Sequence, residues 1–383
     1  MRVLFLLNRY PGVGGIENIT TLLATLFKKD LGYETAIFSV VSEKDVQIPS
    51  SLVDAQILVK IASNTFEQNI SYDFEQFFNK FNPSVVIFQD SYAEIEYLLS
   101  CVKSPVKLFV VEHNTPDCLL KAYVEHCRQH RWSTFGGLIR KCLFPIIYLH
   151  TLLHQKKRHE KLINMSDKYV VLSESYKYTL KKTYNINSDR IVAIPNIKNK
   201  FALTEVNLKK KKQVLFVGRL TKQKGVANLI EIWNIIENRT QEYKLVVVGD
   251  GEERKLIERK IADYGLRNVR LEGFRDNVYD YYNESSVFFL TSMFEGFPLV
   301  LPEAMQFGVI PFAFDTYSAL KDVIDNNHDG YIVEPFNIQS YAETFLEFIT
   351  KSPEEVLTLR QTAIESSRRF DEYSVLSLWK SIL

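Results

Sequence analysis

Two successive series of short apolar segments constrain the fold of this 383-residue chain more than any other feature. In each series, segments rich in β-branched and aromatic residues alternate with longer segments that have helical spacing. Continuous apolar strands separated by helices indicate parallel sheets covered by helices on both faces. The first series comprises Val3–Leu7, Thr35–Val41, Ser84–Phe88, Lys107–Val111, Lys168–Leu172 and Arg190–Ile194, and the second comprises Gln213–Val217, Tyr243–Val248, Val269–Leu271, Ser286–Leu290, Val309–Phe314 and Gly330–Val333. We therefore expect an α/β protein with two doubly wound, Rossmann-like domains.

A polar stretch between the two series marks the predicted domain boundary. Pro195-Asn196 follows the last strand of the first series, and the run Lys209–Lys212, which we interpret as a solvated linker, precedes the next strand. We predict an N-terminal domain over residues 1–200 and a C-terminal domain over residues 201–383. The last helix, at about residues 370–383, either packs on the second domain or crosses back to the first.

Composition and charge narrow the class of protein. Apolar residues make up 46% of the chain and charged residues 24%, as in folded globular domains. The formal net charge of +1 offers no basic excess for nucleic acid. The four cysteines show neither CxxC pairs nor metal-ligand spacing, which favours a reducing cytoplasm. No segment approaches the roughly 20 apolar residues that span a bilayer, and the first apolar run is too short for a signal peptide.

The segment from Glu295 to Glu303 carries the most specific chemical signal. Its two carboxylates flank a loop interrupted by Gly and Pro, between an apolar strand and a helix predicted to begin near Leu301-Pro302. Backbone N–H groups at the start of a helix attract phosphate. Carboxylates accept hydrogen bonds from hydroxyls. The segment therefore predicts a site for a nucleotide sugar.

The loop after the first strand of the second series carries two cations that we assign to a ligand, in addition to Lys222. Arg219 and Lys224 lie at the carboxyl end of that strand, which is the edge where doubly wound sheets bind ligands. Arginine offers a planar fork to phosphate oxygens and lysine a mobile point charge. Both would also stabilise the charge of a departing diphosphate. Two solvated surface cations are the alternative, which the nearby acidic motif disfavours.

Two further candidates lie in the first domain. Pro11–Gly15 follows the first strand, and its glycines allow a phosphate to approach the backbone. A dinucleotide fingerprint is excluded, because Glu17 stands where glycine is required and no acidic residue closes the second strand. Glu17 either stabilises the helix start or contacts a ligand. His113 ends an apolar strand, and we expect it in the active site rather than in a purely structural role.

A basic and apolar insertion is predicted at about residues 118–163. Between Lys121 and Lys161 the sequence has nine Lys or Arg residues against two acids, interleaved with apolar runs such as Leu143–Leu149. This pattern favours a helix lying on an anionic membrane, where each cation contributes about 1 kcal/mol. The alternative is a helical insertion packed on the first domain with a solvated basic face. The five histidines of this region do not indicate a metal site.

Taken together, these motifs resemble the retaining GT-B glycosyltransferases of family 4. The resemblance covers nearly the whole chain and is carried by Gly14–Glu17, by Gly218–Gly225 and above all by the two glutamates Glu295 and Glu303 with seven residues between them. The chain departs from the family at Ile197, where glycine is common after Pro-Asn. It has no Asp-x-Asp pair, which agrees with a reaction that uses no metal or other cofactor.

The resemblance also implies roles for individual residues. Glu303 would hold the ribose hydroxyls, Glu295 the hydroxyls of the donor sugar, and Arg219 with Lys224 the diphosphate. His113 matches a histidine beside the transferred sugar. The residues assigned to donor binding are Gly14, Gly15, Gly218, Arg219, Lys224, Glu295, Gly296, Phe297, Pro298, Leu299, Val300 and Glu303, and those assigned to catalysis are His113, Arg219, Lys224 and Glu295.

The implied reaction moves a sugar, with retention, from a nucleoside-diphosphate donor, UDP-sugar being favoured, to a hydroxyl of a glycan or polyprenyl-linked acceptor. The expected setting is cell-surface polysaccharide synthesis in the cytoplasm, on the inner face of the membrane. Two alternatives remain open. One is a nucleotide-sugar epimerase of the same architecture, and the other is a binding subunit without turnover.

Overall fold

A computed structural model describes residues 1–12, 14–43, 46–62, 67–89, 98, 105–129, 135–199 and 206–383. The side chains of residues 67–69, 122, 125–129 and 135–143 are not described. The chain forms two compact units, Met1–Pro195 with Leu378–Leu383 and Asn196–Ser377. The boundary predicted between residues 200 and 201 lies outside the described residues.

The first unit is built on a seven-stranded parallel sheet of order β3-β2-β1-β4-β5-β6-β7. The strands are β1 (Arg2–Arg9), β2 (Glu34–Val41), β3 (Leu58–Ile61), β4 (Val85–Phe88), β5 (Lys107–Glu112), β6 (Lys168–Val171) and β7 (Ile191–Ala193). The helices are α1 (Gly15–Lys29), α2 (Ser50–Asp54), α3 (Glu67–Phe81), α4 (Cys118–Gln129), α5 (Phe135–Met165) and α6 (Glu174–Tyr184).

The second unit is built on a six-stranded parallel sheet of order β10-β9-β8-β11-β12-β13. The strands are β8 (Lys211–Val217), β9 (Lys244–Val248), β10 (Val269–Gly273), β11 (Ser285–Leu290), β12 (Ile310–Phe314) and β13 (Tyr331–Val333). The helices are α7 (Val226–Glu237), α8 (Arg254–Asp263), α9 (Tyr279–Glu284), α10 (Val300–Met305), α11 (Leu320–Val323), α12 (Ile338–Phe348) and α13 (Pro353–Ser367), with 3₁₀ turns at Lys222–Lys224 and Arg368–Phe370.

The last helix, α14 (Glu372–Ile382), begins in the second unit and ends in the first. Its Trp379 is buried and meets the ring of Phe27 edge-on, with the ring centroids 5.9 Å apart. Lys107 Nζ donates to the carbonyl oxygen of Leu383 over 2.8 Å. An aromatic burial of this kind accounts for the apolar spacing at the end of the chain.

Two doubly wound parallel sheets are the fold class that the sequence predicts, and this prediction is confirmed. The centres of both sheets are fully buried, as the continuous apolar runs require. One strand was not predicted. Strand β3 is a four-residue edge strand with Leu58 57% exposed, so it lacks the apolar continuity of a buried strand.

Candidate active site

In the second sheet, the strand order reverses between β8 and β11, which are neighbours. Ligands of open α/β sheets bind outside the carboxyl ends of the strands at such a reversal. The loop that carries Arg219 and Lys224 follows β8, and the loop that carries Glu295 follows β11. The fold therefore brings the basic loop and the first glutamate to one point.

Lys224 and Glu295 form the central contact of this point. Lys224 Nζ lies 2.6 Å from Glu295 Oε1, and the same oxygen accepts a hydrogen bond of 2.6 Å from the hydroxyl of Ser292. The side chain of Glu295 is 9% exposed and that of Lys224 is 21% exposed. A partly desolvated ion pair with a second donor fixes both charged groups more firmly than a surface pair would.

Main-chain contacts join the same two loops. The N–H of Met293 donates to the carbonyl of Gln223 over 2.8 Å, and the hydroxyl of Thr291 donates to the carbonyl of Lys224 over 3.0 Å. Gly225 has φ +64°, and a Cβ built there would lie 2.0 Å from the carbonyl oxygen of Thr291. Only glycine permits this approach, so the position of Lys224 depends on it.

Arg219 differs from Lys224 in its surroundings. Its side chain is exposed and has no hydrogen-bond or ion-pair partner in the part of the chain that the structure describes. The preceding residue, Gly218, donates its N–H to the carbonyl of Val248. A Cβ built on Gly249 would lie only 1.9 Å from the carbonyl oxygen of Gly218, so the two turns pack closely. Arg219 is thus a solvated cation on a closely packed loop.

Glu303 lies on α10 and is only 6% exposed. Asn199 Nδ2 donates to Glu303 Oε1 over 2.5 Å, and the hydroxyl of Tyr282 donates to Glu303 Oε2 over 3.3 Å. Burial raises the pKa of this carboxyl above its usual range, although both donors act in the opposite direction. The carboxylate is held by two side chains that come from different parts of the second unit.

The loop between the two glutamates supplies the remaining predicted donor contacts. Gly296, Phe297, Leu299 and Val300 are partly exposed, whereas Pro298 is buried. Helix α10 begins at Val300, two residues before Pro302, and not at Leu301 as predicted. The ring of Phe297 meets that of Phe370 with centroids 5.4 Å apart, which anchors the loop within the second unit.

Gly14 and Gly15 belong to the first unit, at the start of α1. The carboxylate of Glu17 folds back over Gly14, since a Cβ built on Gly14 would lie 2.3 Å from Glu17 Oε2. Glu17 Oε1 pairs with Arg9, 3.3 Å from its Nη2. Glu17 lies in the first turn of α1, where a negative charge favours the helix start, and it pairs with Arg9 at the same time.

His113 follows β5 in the first unit. Its Nε2 lies 2.6 Å from the Oε1 of Gln89, which follows the neighbouring strand β4 and is fully buried. Desolvation lowers the pKa of His113 to about 4, and the charge of Glu112 only partly opposes this shift. His113 is therefore neutral at physiological pH.

The basic insertion is helical where it is described. The side chains of 125–143, which include Trp132, Phe135, Leu138 and Ile139, lie outside the described residues. On α5, Ile146, Leu149 and Leu153 are 65%, 53% and 49% exposed. Arg158 points inward instead, with Nη2 3.1 Å from Glu112 Oε2. Among the described residues, no helix is long and apolar enough to cross a membrane.

Comparison with known proteins addresses the chemistry. Residues 199–370 match the family model "Glycosyl transferases group 1". The chain is 25% identical to the amylovoran biosynthesis glycosyltransferase AmsD of Erwinia amylovora, over 100% of this chain and 99% of that protein. The chain is a glycosyltransferase.

Two further relatives match shorter parts of this glycosyltransferase. An uncharacterized glycosyltransferase of Haemophilus influenzae is 28% identical over 58% of this chain, which spans 62% of that protein's length. A Campylobacter jejuni α-1,4-N-acetyl-D-galactosaminyltransferase, named for a diNAcBac-PP-undecaprenol acceptor, is 37% identical over 128 residues, 33% of this chain and 35% of that protein.

Solved structures show the fold of the glycosyltransferase. The lipopolysaccharide outer core galactosyltransferase WaaB superposes with a TM-score of 0.73 at 19% identity, covering 100% of this chain and 99% of WaaB. Staphylococcus aureus TarM, in a complex that includes UDP, superposes with a TM-score of 0.76 at 15% identity, covering 100% of this chain and 99% of TarM. The predicted GT-B fold is confirmed.

The structure adds residues that the sequence patterns did not indicate. Ser292, Asn199 and Tyr282 contact the two glutamates, and Gln89 contacts His113. Ser292 follows strand β11 at the carboxyl edge of the sheet, and this position could have marked it in the sequence as a site residue. Asn199 and Tyr282 lie 104 and 21 positions from Glu303, and no local pattern marks such partners. Within the described residues, no group of three or more His, Cys, Asp or Glu forms a metal set.

Proposed function

We propose that this glycosyltransferase transfers a sugar, with retention of configuration, from a nucleoside-diphosphate donor to a hydroxyl of a glycan or lipid-linked glycan. The observation that carries the proposal is the 2.6 Å contact between Lys224 and Glu295 at the switch point of the second sheet. It joins a cation suited to a diphosphate with a carboxylate suited to sugar hydroxyls, and neither loop alone provides both.

The donor is divided among named residues in this proposal. Arg219 and Lys224 bind the diphosphate, Glu295 accepts from hydroxyls of the sugar, and Glu303 accepts from the ribose. Gly218 and the amides of Gly296–Val300 line the same loops, and Gly14, Gly15 and neutral His113 are the candidates that belong to the first unit. Charge on the diphosphate is balanced by cations and amides, so the proposal includes no metal. A UDP-sugar is the favoured donor.

In the proposed step, the acceptor oxygen attacks the anomeric carbon from the face that the diphosphate leaves. The bond between this carbon and the phosphate oxygen breaks as the new glycosidic bond forms, and the acceptor proton passes to the departing diphosphate. Arg219 and Lys224 stabilise the developing negative charge. Glu295 holds Lys224 at 2.6 Å, which orients the ammonium group before the donor binds.

Assembly of a cell-surface polysaccharide is the proposed setting. Support comes from AmsD, which is named for amylovoran biosynthesis, and from the Campylobacter jejuni relative, which is named for an undecaprenol-linked acceptor. The family-4 assignment and retention rest on the sequence pattern of the two glutamates.

The test is a binding and turnover panel with UDP, GDP, ADP and UDP-sugars. Calorimetry on the wild type and on Glu303→Ala should show one diphosphate that binds and a loss of its affinity in the variant. Turnover with a polyprenyl-diphosphate glycan should then give a product whose new linkage has the donor's anomeric configuration by NMR. Conversion of the nucleotide sugar without acceptor would indicate an epimerase. Binding of a nucleotide without any turnover would indicate a binding subunit, and absence of nucleotide binding to folded protein would overturn the proposal.

We also propose that α5 rests on the anionic inner face of the cytoplasmic membrane. Leu149, Leu153, Lys157 and Lys161 follow one another at intervals of four residues, so two exposed leucines and two exposed lysines share one helix face. Apolar side chains enter the interface while lysines meet lipid phosphates. Because Arg158 is committed to Glu112, fewer cations face outward than the sequence suggests.

Flotation with vesicles tests this surface. Wild-type protein should float with vesicles that contain phosphatidylglycerol and less with neutral phosphatidylcholine vesicles. The double variant L149S/L153S should lose flotation, whereas Tyr178→Ser, an exposed apolar residue of α6, should not. Equal flotation of the wild type and L149S/L153S would overturn the membrane proposal and leave the transfer reaction untouched.

A further inference from the structure

The carboxylate of Glu303 is already held by two side chains before any ligand binds. Asn199 occupies one oxygen at 2.5 Å and Tyr282 the other at 3.3 Å. An ionised carboxylate has about four lone-pair sites, two on each oxygen. The backbone N–H of Asn199 is a third donor to this carboxylate. Three donors on about four lone-pair sites still leave acceptor capacity, which the diol of a ribose can use.

Tyr282 is rigid on the second unit. Its ring is fully buried and stacks on Phe307 with centroids 5.7 Å apart, which restricts the positions from which its hydroxyl can donate to Glu303. Burial and the charge of Glu303 raise the pKa of Tyr282 well above its usual range, which keeps the hydroxyl protonated and able to donate.

Asn199 is fixed from several directions. Its carbonyl accepts from Gln306 Nε2 over 3.1 Å, just beyond the helix that carries Glu303. The preceding residue, Lys198, donates its N–H to the carbonyl of Phe370 over 2.9 Å and pairs with Asp371. Asn199 is thus part of a short strap, residues 198–199, which binds Glu303 at one end and the Phe370–Asp371 segment at the other.

We propose that Tyr282 and Asn199 are positioning residues for ribose recognition, which fix the Glu303 carboxylate so that its remaining acceptor capacity faces the diol of a ribose. This inference rests on the proposed function, because it presumes a nucleotide at Glu303. It adds that the enzyme selects ribonucleotides over 2′-deoxynucleotides through two residues that need not touch the ligand.

The test compares UDP with 2′-deoxy-UDP by calorimetry. Wild-type protein should bind UDP about tenfold or more tightly than 2′-deoxy-UDP, since the deoxynucleotide withholds one donor from a buried carboxylate. Tyr282→Phe and Asn199→Ala should each weaken UDP about fivefold and 2′-deoxy-UDP much less, so the preference shrinks. If UDP does not bind but GDP or ADP does, the matching deoxynucleotide replaces it.

Tyr281→Phe is the matched control. Tyr281 is the neighbour of Tyr282 on α9, but its hydroxyl donates to Glu272 over 2.9 Å. Its loss should leave the ribose preference unchanged. Thermal denaturation verifies that each variant is folded. If Tyr282→Phe does not fold, Asn199→Ala alone tests the positioning role.

The outcomes separate this inference from the proposed function. Failure of the wild type to bind any nucleoside diphosphate overturns both. Nucleotide binding without a ribose preference, or equal weakening of both nucleotides in both variants, overturns only the positioning role.

Discussion

The two loops that follow the first strand of each sheet occupy the same topological place but carry different chemistry. The loop after β1 contains Gly14 and Gly15, and the loop after β8 contains Gly218 and Gly225. In the first, Glu17 covers Gly14 and is paired with Arg9. In the second, Lys224 is paired with Glu295 while Arg219 remains solvated.

The different charges beside the two loops determine which kind of ligand each loop attracts. A carboxylate beside the backbone of Gly14 opposes an anion and favours a donor group such as a hydroxyl. In the second loop, three cations, Arg219, Lys222 and Lys224, outnumber the one paired acid, Glu295, and this balance favours a diphosphate. Glycine after the first strand is therefore common to both loops, whereas the charged side chains around it decide the ligand.

The largest effect is expected from Lys224→Met. Loss of the ammonium group removes stabilisation of the departing diphosphate and leaves the buried Glu295 without its ion-pair partner. We expect kcat to fall by about 10²–10³, with a smaller change in donor KM. Lys222→Met, in the same 3₁₀ turn, is the control and should stay within about twofold. A rise in KM with unchanged kcat would show that Lys224 contributes only to binding.

A stability comparison of the two loops comes next. Gly225→Ala forces a side chain into φ +64° and against the carbonyl of Thr291, so we expect a loss of about 2 kcal/mol or more in the free energy of unfolding. Gly15→Ala meets no atom within 4 Å and lies in a helix, where alanine is preferred, so it should be neutral or slightly stabilising. Urea denaturation measures both. Equal losses of stability in the two variants would mean that the close contact between Gly225 and Thr291, in the loops after β8 and β11, can relax to accept a side chain.

A third comparison concerns the arginines beside the two loops. Arg219→Met should raise the Kd of the nucleoside diphosphate about tenfold, because a charge-assisted contact with phosphate is lost. Arg9→Met, whose partner is Glu17, should change this Kd less than about twofold. Calorimetry measures both. If Arg9→Met weakens binding as much as Arg219→Met, the loop after β1 contributes to phosphate binding after all.

Sequence alone predicts the sheets because a buried parallel strand must be continuously apolar, as Val214–Phe216 is. Edge strand β3 lacks this signal. The ends of strands also indicate where Arg219, Lys224 and Glu295 lie, since parallel strands share one carboxyl edge.

The partners of these residues follow from tertiary structure. Asn199 lies 104 positions before Glu303 and meets it only in the folded chain, and Arg158 turns inward because Glu112 is buried beside α5. A count of charges therefore overestimates the basic surface of the insertion. The partners in a polar network cannot be predicted from the sequence, because their spacing along the chain follows no period.

The smallest effect at neutral pH is expected from His113, and it emerges on acidification. With a pKa of about 4 in the folded chain and about 6.5 when unfolded, His113 binds fewer protons in the folded state between these values. Its contribution to stability is complete above about pH 6.5 and is lost progressively as the pH falls towards 4. Urea denaturation from pH 4.5 to 7.5 should show a shallower decline for His113→Asn than for the wild type, whereas His150→Asn, on the exposed surface of α5, should follow the wild type. Parallel curves for wild type and His113→Asn would show that folding does not lower the pKa of His113, and the desolvation that supports a neutral His113 in the proposed mechanism would then be wrong.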